Sequence, residues 1–158
     1  MSDRDRTTPL GLFNYARSYW QSAVYLHRPK VKVRHPDAPI TLLLAHAIEL
    51  YMKSFLRLQG LGVKALKTNF GHDFRRLVEE AHARGLHFDD EDQEVAKILT
   101  EQESIRRSRY IETGLYTNPS LRALSATCKS LDKSVAAALA GAGHRVRAED
   151  LDHIETDD

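Results

Sequence analysis

The sequence has a single cysteine, Cys128, so it has no internal disulfide. A lone thiol behind a polar N-terminus fits a reducing compartment, and a soluble cytoplasmic protein is the expectation. No apolar run approaches the roughly 20 residues needed to cross a bilayer. Met1 to Pro9 lacks the apolar stretch of a secretory leader, and the acids Asp3 and Asp5 between Arg4 and Arg6 argue against a transit peptide. Net charge is nearly absent as well. The 23 basic and 22 acidic residues leave +1, too little for a global field that would draw in nucleic acid or anionic lipid. Any such partner must be held by a local patch. There is no glycine-rich phosphate loop, no internal repeat and no low-complexity segment. No cofactor is implied.

What is present is helical periodicity over 158 residues, enough chain for one domain with its own core. Five helices are expected. The first spans about Leu12 to His27, with Phe13, Ala16, Trp20, Ala23 and Val24 on one face and Tyr15, Tyr19 and Leu26 beside it. That band is wide enough for two neighbouring helices, or for one neighbour and a partner subunit. Pro29, Pro36 and Pro39 exclude a continuous helix over the basic stretch Arg28 to Arg34. The second helix runs from Pro39 to about Gln59, stops at Gly60 and is apolar nearly all round, which suits the centre of a bundle. The third covers about His72 to Arg84. The fourth runs from Asp89 to about Arg107, with acids first and arginines last, as the helix dipole favours. The fifth, Pro119 to Ala140, carries the stripe Leu121, Leu124, Cys128, Leu131, Val135 and Leu139. The expected organisation is a flexible start over 1–10, a helical domain over 11–143, and an acidic tail over 144–158 that frays.

Three groups of residues can carry chemistry. His46, Glu49 and Lys53, spaced by three and four, share one strip of the second helix bordered by Leu42, Leu50 and Leu56. Polar groups in such surroundings need partners. The strip is either a small polar pocket, with Lys53 on a phosphate, or an internal Glu49–Lys53 salt bridge with His46 nearby. His72 and Asp73 open the third helix, where Asp73 can cap exposed N–H groups and His72 can face the same cleft. Arg106, Arg107 and Arg109 with Tyr110, together with Arg28, Lys30, Lys32 and Arg34, form a candidate phosphate-binding surface, which can equally be solvated charge. Glu79 and His82 have a metal-type spacing, but Glu79 points away from the core face and no second motif accompanies it, so no metal is expected.

The run His46-Ala47-Ile48-Glu49-Leu50-Tyr51-Met52-Lys53-Ser54-Phe55-Leu56-Arg57, with Gly60, then Gly71-His72-Asp73-Phe74-Arg75-Arg76-Leu77, then Arg109-Tyr110 and a last long helix, resembles the HEPN superfamily. These are the higher-eukaryote and prokaryote nucleotide-binding helical domains. The resemblance covers roughly Leu12 to Ala140. It implies an all-α, up-and-down bundle of four to five helices that often dimerises. Many HEPN proteins are metal-independent ribonucleases that use an Arg and a His separated by four to six intervening residues near the last helix. Here Arg106 to Leu121 contains no histidine. The loose pattern recurs instead at Arg28–His35, at Arg75 or Arg76 to His82, and at Arg147–His153. The leading expectation is therefore a binding protein, a homodimer, that presents a charged cleft of His46, Glu49, Lys53, His72, Arg109 and Tyr110 to a nucleotide, RNA or protein partner without turnover. A toxin-like ribonuclease, partnered by a nucleotidyltransferase-like antitoxin, is the alternative. A purely structural interaction module is the third reading.

Overall fold

The computed structural model describes residues 6–28, 32–101 and 118–156. They form an all-α bundle: α1 (Pro9–His27), α2 (Asp37–Leu58), the single turn α3 (Val63–Ala65), a π-helical turn (Leu66–Phe70), α4 (Phe74–Ala83), α5 (Asp90–Glu101) and α6 (Leu121–Gly141). None of these helices is long and apolar enough to cross a membrane.

Local chemistry sets the helix ends. Thr8 Oγ1 accepts the Gly11 N–H at 2.9 Å and Pro9 takes the first helical position, so α1 begins three residues before the expected Leu12. Asp73 caps α4 by accepting the Arg76 N–H, and Ser120 caps α6 by accepting the Ala123 N–H. At the start of α5, Asp92 N–H donates to Asp89 Oδ1 and Asp89 N–H donates back to Asp92 Oδ2, a reciprocal box that closes two exposed donors. α6 ends with Gly143 at φ 87°, where the Gly143 and His144 N–H groups donate to the Ala140 and Leu139 carbonyls. α2 begins at Asp37 rather than at the expected Pro39.

α2 is the most deeply seated element, with 12 of its 22 residues buried. It packs against α1, α6 and α4, while α5 lies against α6 and α4. Phe13 and Tyr51 meet edge to face at 5.7 Å between ring centres, and Trp20, Leu44, Ile48, Leu124 and Leu131 fill the space around them. The stripes read from the sequence on α1 (Phe13, Ala16, Trp20, Ala23, Val24) and α6 (Leu121, Leu124, Cys128, Leu131, Val135, Leu139) are buried in the core, while Tyr15 and Leu26 beside the first are exposed.

Two expectations change. Among the described residues, the C-terminal segment is docked rather than frayed. Ile154 is 3% exposed, and its N–H donates to Ser125 Oγ at 3.0 Å. Arg17 Nη1 donates to the Arg147 carbonyl, and Gln21 Nε2 to the Asp152 carbonyl. Apolar Val146, Leu151 and Ile154 pack on the core between the acids, which makes docking worthwhile despite the charge. Thr7 and Pro9, within the stretch expected to be flexible, are held as well. Arg57 Nε donates to the Thr7 carbonyl, and Ser54 Oγ to the Pro9 carbonyl.

Candidate functional site

The three-and-four spacing on α2 sets His46, Glu49 and Lys53 in one row, and Glu49 is the hub of it. Its side chain is 1% exposed. Lys53 Nζ donates to Glu49 Oε1 at 2.6 Å and to the Gly71 carbonyl at 2.7 Å. Gly71, at φ 51°, turns the chain out of the π-helical turn and toward α4. That turn carries His72 back over α2, where its Nδ1 lies 3.1 Å from Glu49 Oε1. An ionised carboxylate only accepts, so His72 Nδ1 is the donor. His46 Nδ1 stands 3.8 Å from Glu49 Oε2, too far for a direct hydrogen bond but close enough for charge to act. The His46 ring is held edge-on against Tyr19, with 4.6 Å between centres.

Burial alone would push the Glu49 carboxyl up. His46, Lys53 and His72 outweigh it and bring the group down to about 2. Glu49 is therefore a fixed negative charge at neutral pH. Oε2 is buried with no hydrogen-bond partner, so the His46 ring beside it is its nearest compensation. The Lys53 ammonium is engaged by Glu49 and the Gly71 carbonyl, which is the internal salt bridge that the sequence reading set beside a phosphate contact. The histidines reach outward, with 23% of the His46 side chain and 51% of the His72 side chain exposed.

The structure thus brings together four of the six cleft candidates. Arg109 and Tyr110 lie outside the described residues, as do Lys30, Arg106 and Arg107. Of the other phosphate candidates, Arg28 is paired with Asp152, while Lys32 and Arg34 are exposed in the loop before α2. Asp73 faces Arg76 and caps α4. Glu79 and His82 line a different cavity of about 410 Å³, between α4 and α5, with Val78, Phe88 and Ala96.

A second buried polar group has no counterpart in the sequence reading. Arg17 Nε and Nη2 donate to the two oxygens of Asp132 at 2.9 and 3.0 Å, and Tyr51 O–H donates to Asp132 Oδ2 at 2.8 Å. The guanidinium also lies over the Phe13 ring at 4.7 Å. Burial, reinforced by the Asp132 charge, raises the Tyr51 phenol, which stays protonated as a donor. The signal was there: Arg17 follows Ala16 on the apolar face of α1, and Asp132 follows Leu131 on that of α6. A charge on a core stripe implies a partner.

No protein-family model, curated protein or solved structure matches the chain.

Proposed function

We propose that the protein binds single-stranded RNA without cleaving it, through the His46 and His72 imidazoles. The observation that carries this reading is the fully buried Glu49, with an imidazole directed at each of its oxygens. A buried carboxylate is costly, and a fold needing only stability can fill the same space with apolar groups. The return on that cost is two partly exposed rings held in fixed orientation. Such rings offer flat faces to bases, and each leaves an outward Nε2 that accepts a hydrogen bond from a base N–H or a ribose hydroxyl. The resemblance of His46–Arg57 and Gly71–Leu77 to HEPN proteins supports a nucleic-acid ligand.

The test is a titration of a labelled single-stranded oligoribonucleotide with wild type, His46→Ala and His72→Ala, followed by recovery of the RNA. Saturable binding, weakened about tenfold by either substitution, with full-length RNA recovered, is expected; stacking on an aromatic ring is worth about 1–3 kcal/mol per base. Absence of binding by the wild type refutes the reading. Shortened RNA that stays intact with either variant favours the second reading, a ribonuclease. The observation behind that alternative is that both imidazoles meet one carboxylate, an arrangement able to orient a general acid and a general base.

The reading includes a homodimer. Tyr15 and Leu26, three turns apart on α1, are exposed beside Tyr25 at 67%, 37% and 71%, and an apolar group of this kind suits a second copy. Light scattering at micromolar concentration should give twice the chain mass, and Tyr15→Glu should return the monomer. A monomeric wild type contradicts it.

A further inference from the structure

The outer side of α6 carries a charged feature that the RNA reading does not use. Arg122, Ala126, Lys129 and Lys133 recur at intervals of four, three and four, so they form one outward row opposite the buried stripe. The C-terminal segment runs beside this row, and between them lies a groove of about 480 Å³ whose far wall is His153 and Ile154. Pockets that take small ligands begin at roughly 300 Å³.

The groove is fixed on both sides. One wall is a 21-residue helix. The other is pinned where the Ile154 N–H donates to Ser125 Oγ, a hydroxyl that also accepts the Trp20 Nε1–H at 3.1 Å. Half-buried Ala126 and the accessible edge of Ile154 line the space between the walls, together with Ser130 and the Glu155 carboxylate.

Charge around the groove is unevenly answered. Arg122 reaches Glu91 at 2.6 Å, and His153 Nε2 lies 3.4 Å from Glu155. Lys129 and Lys133 are exposed, and among the described residues neither has an ion-pair partner. They lie one helical turn apart, with Cβ atoms about 6 Å from each other. That spacing lets two ammonium groups converge on neighbouring phosphates, where a lysine acts as a mobile point charge.

The geometry points to a second binding site, in this groove, for a small molecule of the nucleoside diphosphate class. Its phosphates lie on Lys129 and Lys133 and its ring against the apolar surface around Ala126, between the helix and the His153–Ile154 wall. The phosphates supply the attraction and the ring supplies burial. A bare phosphate therefore binds more weakly than ADP.

The test uses the full chain, amide-resolved NMR, and three probes: ADP, pyrophosphate and inorganic phosphate. ADP should shift the amides of Ala126 to Lys133 and of His153 to Glu155 saturably, with affinity falling from ADP to pyrophosphate to phosphate. The double variant Lys129→Ala, Lys133→Ala should weaken ADP about tenfold or more, through loss of two charge-assisted contacts. Lys129→Arg, Lys133→Arg should keep ADP binding within about threefold, since both charges remain. Both pairs are surface changes, and an unchanged spectrum elsewhere verifies the fold. No saturable shift with ADP, equal ADP affinity in the double alanine variant, or shifts confined to His46, Lys53 and His72 would each overturn the proposal. The last outcome would leave the RNA site standing without this one.

Discussion

Removing Asp132 should be among the most damaging single changes in the bundle. Its two oxygens hold the Arg17 Nε and Nη2 atoms and the Tyr51 hydroxyl, all within 3.0 Å. In Asp132→Ala the guanidinium stays where it is, 90% covered, with only the Arg147 carbonyl and the more distant Glu149, at 3.9 Å, to answer it. The Tyr51 hydroxyl loses its acceptor inside the core. Breaking a buried pair in this way costs about 3–5 kcal/mol. For a chain of this size each kcal/mol moves Tm by roughly 2–4 °C, so a fall of about 6–20 °C is expected. Urea unfolding followed by circular dichroism should show the midpoint falling with an unchanged slope. The double variant Arg17→Met, Asp132→Leu removes both charges and fills the space. It should be more stable than Asp132→Ala, because a hydrophobic replacement leaves no orphan charge. A cost below about 1 kcal/mol for Asp132→Ala would refute the reasoning. So would a double variant no better than the single.

Three further outcomes follow from the same geometry. Glu49 has a carboxyl lowered from 4.5 to about 2, so the unfolded chain binds its proton first. Its stabilisation, on the order of 3 kcal/mol, is complete above about pH 4.5 and is lost as pH falls toward 2; Glu49→Gln should flatten the acid limb of stability against pH, and an unchanged limb would contradict this. Cys128 is fully buried, and burial raises its thiol, so a thiol reagent should label it only in denaturant; labelling of the native protein at the rate of a free thiol would contradict the packing. Ile154→Ala should cost about 2 kcal/mol and redshift the emission of Trp20, to which Ile154 is linked through Ser125; a neutral substitution would mean that the C-terminal segment is not docked.

The helices were legible because their signals are local. The apolar pattern of α2, the stripe of α6 and the stop at Gly60 depend on residues within a turn or two of one another. His46, Glu49 and Lys53 were legible for the same reason, and His72 because it follows Gly71, whose turn brings it back. The ion pair of Arg17 with Asp132 joins residues 115 positions apart, and no local pattern names its partner. The C-terminal segment read as solvated because its acids outnumber its apolar residues. Val146, Leu151 and Ile154 decide its placement, and they follow no helical or strand period. The π-helical turn Leu66–Phe70 is not legible in the sequence, since its bonding pattern has no compositional signature.

The central claim is that one buried carboxylate orients two imidazoles. Ring-nitrogen NMR of His46 and His72 near pH 7 tests it most directly, because the tautomer of each ring is read separately. The account predicts both Nδ1 atoms protonated in the wild type, with that preference lost in Glu49→Gln. A proton on Nε2 with bare Nδ1 on either ring, or shifts that ignore the Glu49 substitution, would contradict it.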